Sequence, residues 1–255
     1  MNLEQSSPYP YNVPAIKFAK DIWLDNPISF FIGDNGTGKS TLIESIAYRL
    51  QLPHMDGAEY PMRSYEGAWA LSKYIQLTFA IDRPIGFFFR AEDFGDYLNS
   101  VQRQDVNLHN QLSYLEGEVP DDILQSMKDN ANAQLHHVRE NFGQDLRTFS
   151  HGEAYLHIIQ QKIRSRGIYI LDEPEAALSP ARQLSLIYYI LDHLKNFNSQ
   201  FIIATHSPIL MSIPNSTLYE ITQDDMQKKD VAETEHYMIT KGFLNHPEMY
   251  LEHLS

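Results

Sequence analysis

The sequence predicts an α/β fold in which a mixed β-sheet is flanked by helices and a helical subdomain is inserted. Short apolar runs of strand length alternate with longer segments whose apolar residues recur every three or four positions. Residues 92–148 interrupt that alternation, because they are rich in polar residues, poor in β-branched residues and helical in spacing. Hydrophobic residues form 43% of the 255-residue chain, which is enough to bury a core. We therefore expect one domain over residues 1–255, with 92–148 as its inserted subdomain.

A glycine-rich loop lies between the first predicted strand, residues 28–32, and the helix that begins near Leu42. Its sequence fits the phosphate-binding pattern G-x-x-x-x-G-K-[ST] in the required strand–loop–helix context. Loop N–H groups and the helix N-terminus hold phosphate oxygens, Lys39 reaches the β- and γ-phosphates, and the Ser40 hydroxyl can ligate Mg²⁺. The loop consists of Gly33, Asp34, Asn35, Gly36, Thr37, Gly38, Lys39, Ser40 and Thr41. The sequence therefore predicts a P-loop protein that binds a nucleoside triphosphate with Mg²⁺.

Composition and charge narrow the class of protein. The chain has no cysteine, which excludes disulfides and thiolate metal sites. No apolar stretch is long enough for a membrane span, and the first residues lack the features of a signal peptide, so we expect a cytoplasmic protein. The formal charge of −13 argues against a broad, non-specific contact with DNA, although it is compatible with a local basic patch.

Two acids end a buried-type strand predicted at residues 168–173. A carboxylate in the position of Asp172 is placed to hold Mg²⁺, and Glu173, if it points at the γ-phosphate, is placed to orient or deprotonate water. Adjacent residues on an extended strand face opposite ways, so the two acids are expected to have different roles.

Other polar residues stand at element ends. Ser150 and Glu153 fit a helix-capping box, and with Gly152 they also offer a hydroxyl and N–H groups to an anion. His206 follows the strand predicted at 200–204, at the end where open α/β sheets bind ligands. Tyr11, in an aromatic turn before the first strand, is a candidate platform for a nucleobase or a core residue. Glu233, Glu235 and His236 lack metal-ligand spacing and are interpreted as a solvated helix face.

The remaining elements follow from periodicity and turn residues. Further strands are predicted at 74–81, 85–89 and 216–221, and helices are predicted to begin at Pro120 and Pro180. Residues 222–255 are predicted to form closing helices. The helix from Pro120 carries an apolar stripe predicted to be core: Leu124, Met127, Ala131, Leu135, Val138 and Phe142.

Taken together, these elements resemble the nucleotide-binding domain of ABC-type ATPases of the non-transporter kind, over nearly the whole chain. In that family a signature beginning LSGG follows the helical subdomain. The matching residues here are Ser150, His151, Gly152 and Glu153, with His151 in place of a glycine. Glu153 replaces a common Gln, as in the SMC and DNA-repair branch. The tail resembles that of small, single-domain bacterial ATPases.

The resemblance also implies roles for residues at the strand ends. Asp172 matches the Mg²⁺-associated aspartate, Glu173 the catalytic glutamate and His206 the switch histidine. The glutamine that normally links Mg²⁺ to the helical subdomain is replaced by Arg90-Ala91-Glu92. The implied mechanism is ATP-driven, head-to-tail dimerisation, in which each ATP contacts the phosphate loop of one subunit and Ser150 and Gly152 of the other. Lys39 and Mg²⁺ would stabilise transition-state charge.

Three alternatives to a switch ATPase coupled to an unidentified partner remain open. A transporter ATPase subunit fits the domain but not the missing glutamine or the tail. A DNA-repair or phage-defence clamp fits the signature, although no sustained heptad region is present. A P-loop kinase would leave the signature and the paired acids without a role.

Overall fold

The computed structural model describes residues 8–54, 66–79, 85–97, 114–115, 119–120, 122–129 and 151–252, excepting the side chains at positions 66 and 151. Contacts divide the chain into two compact units. The first comprises residues 1–91 and 163–255, and the second comprises residues 92–162. No helix among the described residues is both long and apolar enough to cross a membrane.

A single mixed sheet organises the described part of the first unit. Its six strands are β1 (Ile28–Gly33), β2 (Gly86–Arg90), β3 (Ile168–Asp172), β4 (Gln200–Ala204), β5 (Thr217–Ile221) and β6 (Met226–Lys229). Their order is β2-β3-β4-β1-β5-β6, with parallel pairing except between β5 and β6. Every residue of β1, β3 and β5 is buried, as expected for strands covered on both faces. The predicted α/β fold with a mixed sheet flanked by helices is confirmed.

Helices lie between and after the strands. In the first unit they are α1 (Pro14–Phe18), α2 (Lys39–Leu50), α3 (Glu66–Ser72), α5 (Pro180–Asn196), α6 (Pro208–Met211), α7 (Glu235–Asn245) and α8 (Pro247–Leu251); α4 (His151–Lys162) belongs to the second unit. The predicted start at Pro180 is confirmed, with proline in the first turn where a missing N–H costs nothing. Along α5, Leu186, Ile190 and His193 recur at helical spacing and are buried.

The main core of the first unit joins α2 to the middle of the sheet. Ile43 and Ile46 of α2 are buried in one apolar cluster with Phe31, Ile170 and Ile202, which lie on β1, β3 and β4. Burial of such side chains contributes about 1.5–3 kcal/mol each. Because α2 directly follows the glycine loop, this packing also fixes the position of the loop.

The second unit contains helical residues at 94–97 and 122–129, followed by α4. Phe94 and Tyr155 are buried and pack edge to face, with ring centroids 4.9 Å apart. Of the predicted apolar stripe, Leu124 is buried, whereas Met127 is 42% exposed and does not have the core role predicted for it. The other stripe residues and most of 92–148 lie outside the described residues, so the subdomain boundary stays a prediction.

The strand predicted at 74–81 is wrong for its described part, residues 74–79. A turn ends α3, with the Tyr74 N–H donating to Leu71 O, and the chain then continues without a ladder. Ile75 and Leu77 pack against the core, and Arg49 Nε donates to Ile75 O at 2.8 Å. The apolar residues of the alternating pattern therefore pack against the core from one side of the segment, and the segment does not pair as a strand. The prediction at 85–89 is confirmed by β2.

The tail differs from its prediction at its beginning. Residues 222–255 were expected to form closing helices, but Met226–Lys229 form β6, antiparallel to β5. Lys229 Nζ pairs with the buried Glu220 carboxylate on β5, which favours strand pairing at this edge. The predicted closing helices follow as α7 and α8.

Candidate functional site

Three polar loops meet at the carboxyl edge of the sheet. Strands β3, β4 and β1 are adjacent and parallel, so the residues that follow them lie side by side. The glycine loop follows β1, Glu173 follows β3 and His206 follows β4, while Asp172 is the last residue of β3. The topology therefore brings together residues that are far apart in sequence.

Lys39 lies inside the loop, as the phosphate-binding pattern predicts. Its Nζ donates to Gly33 O at 2.8 Å and to Asp34 O at 3.0 Å. Burial lowers the pKa of the Lys39 ammonium, and the neighbouring carboxylates of Glu173 and Asp172 oppose that shift. The loop thus holds a cation against its own carbonyls at the point where phosphate oxygens are expected.

Two loop glycines have conformations that a side chain would disturb. Gly38 has φ = 90°, and an added Cβ would lie 2.6 Å from Val13 Cγ2. Gly33 has φ = 141°, and its Cβ would lie 2.1 Å from the Ile221 carbonyl oxygen on β5. The segment before β1 also supports the loop, since the Ala15 N–H donates to Thr37 O at 2.8 Å. Glycine is therefore required sterically at both positions.

Ser40 and Asp172, the predicted Mg²⁺ ligands, lie in contact with each other. Ser40 Oγ donates to Asp172 Oδ1 at 3.1 Å. Burial raises the pKa of Asp172 to about 7, although Ser40 and Arg90 oppose the shift. Arg90 Nε is 3.9 Å from Asp172 Oδ2. A buried carboxylate and a hydroxyl are the hard oxygen ligands that Mg²⁺ prefers, so the residues fit this ion.

Arg90 occupies the place where the family pattern has glutamine. It ends β2, and its Nη1 lies 3.2 Å from Glu44 Oε1 on α2. With Asp172 on its other side, the guanidinium joins the end of β2 to the carboxylate that ends β3. The arginine thus connects elements of the first unit at the position of the missing glutamine.

Glu173 and His206 lie opposite each other beside the loop. Glu173 has φ = 48°, beyond the end of β3, so the expected alternation of strand side chains does not apply to it. Its Oε1 is 3.3 Å from His206 Nε2, and its side chain is 37% exposed. Burial, followed by the Lys39 charge, lowers the pKa of His206. Although Glu173 lies close, His206 Nε2 is buried and makes no hydrogen bond of acceptable geometry among the described residues, so it can still donate to a ligand.

Glu175 is a site residue that the sequence reasoning missed. Its Oε1 accepts hydrogen bonds from Thr205 Oγ1 at 2.7 Å and from the N–H groups of His206 at 2.7 Å and Ser207 at 3.1 Å. Burial raises the pKa of Glu175, and these hydrogen bonds oppose the shift. Glu175 therefore fixes the backbone that carries His206. Its position two residues after Glu173 was the only signal in the sequence.

The candidate base platform has an aromatic neighbour. Tyr11 is half-buried and meets Tyr74 edge to face, with ring centroids 6.2 Å apart. The nearby Tyr9 contacts the loop, since its hydroxyl is 3.5 Å from Thr41 Oγ1. Base stacking on Tyr11 stays a prediction.

The signature residues belong to the second unit. Ser150 lies outside the described residues, α4 begins at His151, and Gly152 and Glu153 follow in its first turn. Their predicted location at a helix start is confirmed for the described positions. Their predicted role toward a second subunit stays a prediction.

A separate cavity of about 790 Å³ lies at the opposite, amino edge of the same sheet. Its lining includes Trp23, Phe79 and Gln200. Its described lining includes the carboxylates of Asp21 and Asp25 but no residue of the glycine loop. The carboxyl edge is therefore the better candidate for the functional site.

Comparison with known proteins assigns the chain to a family. Residues 62–212, more than half of the chain, match the family described as "AAA domain, putative AbiEii toxin, Type IV TA system". The chain belongs to this AAA domain family. The matched region contains Asp172, Glu173 and His206 but not the glycine loop, which is identified by its own sequence and geometry. The predicted AAA-type resemblance is confirmed at the level of family.

Two solved structures are similar to this AAA domain chain. One is cbiO1 from Clostridium perfringens, part of the ABC transporter complex cbiONQ, with 17% identity, 88% of this chain and 85% of that chain covered, and a TM-score of 0.40. The other is a nucleotide-free ATP-binding cassette from an ABC transporter, with 14% identity, 87% and 85% covered, and a TM-score of 0.38. No curated protein sequence matches the chain.

Because Asp172 is buried, we expect the effect of Asp172→Asn on the free energy of unfolding to depend on pH. Its pKa rises from 3.8 to about 7 on folding, so the protonated acid stabilises the fold at low pH and this stability is lost as pH rises through about 7. Asparagine does not ionise. The free energy of unfolding of Asp172→Asn relative to wild type should therefore increase between pH 5 and pH 8, by about 1–3 kcal/mol.

Thermal and urea unfolding of the metal-free, nucleotide-free protein in EDTA measure this difference. Asp230→Asn, which changes an exposed carboxylate in the same unit, is the matched control and should show no such increase. A constant difference between Asp172→Asn and wild type across this range would contradict the proposed cost of ionising Asp172.

Proposed function

We propose that this AAA domain protein is a Mg²⁺-dependent ATPase that works as a switch by ATP-driven, head-to-tail dimerisation. The single observation that carries the proposal is that three groups of residues, each suited to one part of ATP hydrolysis, lie together at one edge of the sheet. Lys39 lies in a phosphate loop, Ser40 and Asp172 form an oxygen-ligand pair, and Glu173 faces His206. Phosphoryl transfer to water needs these functions and little else from a protein.

Each residue has a role that follows from its position. Lys39 neutralises charge on the β- and γ-phosphates, in a loop whose carbonyls already orient its ammonium. Glu173, partly exposed beside the loop, accepts a hydrogen bond from the attacking water and orients it. His206 donates from Nε2 to the γ-phosphate, on a backbone fixed by Glu175.

Ser40 and Asp172 hold Mg²⁺ in this proposal. When bound, the ion supplies positive charge to the phosphate oxygens. The two protein ligands are already within hydrogen-bond distance of each other, so binding requires no large movement of the described backbone. Ionisation of the buried Asp172 is disfavoured without a cation, which provides a physical reason for ion binding at this residue.

The dimer and partner assignments rest on the family resemblance. The first unit supplies one side of the nucleotide site, and Ser150 and Gly152 of a second copy are proposed to complete it. ATP would then favour the closed dimer, and hydrolysis would remove the γ-phosphate contacts that hold it. A cytoplasmic location and coupling to a partner protein belong to the same proposal. The family description favours a toxin–antitoxin setting for that partner over a membrane transporter.

Hydrolysis should depend on Glu173 while ATP binding does not. Glu173→Gln keeps the shape but weakens the acceptor for water, so phosphate release should fall by about 10²-fold or more with ATP affinity retained. Lys39→Ala should abolish tight ATP binding. The measurement is phosphate release and equilibrium ATP binding with Mg²⁺ and no added acceptor, with Glu233→Gln as an exposed-acid control.

Absence of phosphate release from the wild-type protein would contradict autonomous hydrolysis. Phosphate transfer only when a small-molecule acceptor is added would instead favour a P-loop kinase. Equal rates for wild type and Glu173→Gln would remove Glu173 from the mechanism.

ATP should convert the Glu173→Gln protein from monomer to dimer. Slow hydrolysis preserves the γ-phosphate, and the proposed site needs both phosphate loop and signature to hold it. Light scattering should show the mass of two chains with Mg²⁺-ATP and of one chain without nucleotide. Adding Lys39→Ala or Ser150→Ala to Glu173→Gln should keep the protein monomeric. A monomer of Glu173→Gln saturated with ATP would contradict the composite site.

A further inference from the structure

His206 has a neighbour on each ring nitrogen. Its Nδ1 is 3.2 Å from His236 Nε2, and its Nε2 is 3.3 Å from Glu173 Oε1. His236 is the second residue of α7, in the tail and 30 residues beyond His206. The sequence pattern was interpreted as a solvated helix face, which is wrong for His236, because its half-buried ring lies against the residue proposed to contact the γ-phosphate.

The hydrogen bond between the two rings needs one proton, and its location determines what His206 offers to the site. A neutral imidazole has one N–H donor and one acceptor nitrogen. If the proton were on His206 Nδ1, the lone pair on Nε2 would face the Glu173 carboxylate and repel it. If the proton is on His236 Nε2, His206 Nδ1 accepts it and His206 Nε2–H points toward Glu173. For a neutral His206, only the second arrangement makes both contacts favourable.

The position of His236 is fixed by contacts of its own helix start. The N–H of the preceding residue, Glu235, donates to Glu220 Oε1 at 3.0 Å. Glu220 is buried on β5 and pairs with Lys229 on β6. Thr234 is fully buried, and its Oγ1 donates to Val231 O at 2.8 Å. The start of α7 is therefore tied to the edge of the sheet, and His236 is presented to His206 by a rigid element.

We propose that His236 is a positioning residue that holds His206 in the tautomer with its proton on Nε2. This inference rests on the proposed ATPase function, because it specifies how the switch histidine presents a donor to the γ-phosphate. An Nε2–H group donates to a phosphate oxygen, whereas an unprotonated Nε2 would repel it. The edge strand β6 and helix α7 thereby contribute to the nucleotide site without touching the nucleotide.

The tautomer is measured directly by long-range ¹H–¹⁵N spectra of the full chain labelled at its 11 histidines. His206→Gln identifies the His206 signals by their loss. The wild-type spectrum should show His206 protonated on Nε2. His236→Gln, whose amide can donate, should keep that tautomer, and His236→Glu, whose carboxylate only accepts, should place a proton on Nδ1. A wild-type His206 that carries its single proton on Nδ1, or an Nδ1 that stays unprotonated in His236→Glu, would overturn the proposal.

Phosphate release provides the functional readout. His236→Gln should stay within about threefold of wild type, whereas His236→Glu should lose at least about tenfold. His246→Glu, the same change at an exposed histidine after α7, is the matched control and should alter neither the tautomer nor the rate. Equal loss in His236→Gln and His236→Glu would point to a merely structural role and would overturn the proposal.

The two readouts separate failure of this inference from failure of the proposed function. The spectra are recorded without turnover, so they decide the His206 tautomer even if the protein hydrolyses no ATP. A wild-type protein that shows the Nε2–H tautomer but releases no phosphate would contradict the ATPase function while retaining the positioning role. The opposite pattern, ATP hydrolysis by a protein whose His206 is protonated on Nδ1, would contradict only the positioning role of His236.

Discussion

The structure depends on one constraint, the adjacency of parallel strands β3, β4 and β1. Parallel pairing puts the carboxyl ends of all three strands at the same edge of the sheet. The acids at the end of β3, the histidine after β4 and the loop after β1 therefore lie in one site. The packing of α2 on these strands fixes the loop, and the Glu175 hydrogen bonds fix the segment after β4. Site geometry is therefore a consequence of sheet topology rather than of a local motif.

The sequence allowed prediction of the elements with strong local signals. The runs that form β1, β3, β4 and β5 are apolar, of strand length and bounded by turn residues, and all four are present. The glycine loop was recognisable because Lys39 and Ser40 occur at fixed spacing between a strand and a helix. Asp172 and His206 were found because their strands end immediately before the polar residues. In these cases local sequence and tertiary structure agree.

The failed or missing predictions concern contacts that local patterns do not encode. Residues 74–79 alternate like a strand, but nothing pairs with them as a strand in the described structure, and Ile75 and Leu77 pack on one side only. Strand β6 is short and polar, and its pairing with β5 depends on Lys229 meeting a buried acid. Glu175 and His236 act through partners about 30 residues away. Such roles follow from the folded topology, which a single sequence without alignment does not provide.

The central claim is that the carboxyl edge of β3, β4 and β1 is the ATP site, and a crystal structure of Glu173→Gln with Mg²⁺-ATP tests it most directly. We expect the triphosphate to lie along residues 33–41, with Lys39 Nζ in contact with a phosphate oxygen. Mg²⁺ should be bound by Ser40 and Asp172, and His206 Nε2 should face the γ-phosphate. Nucleotide bound in the cavity at the amino edge, beside Trp23 and Phe79, would contradict it.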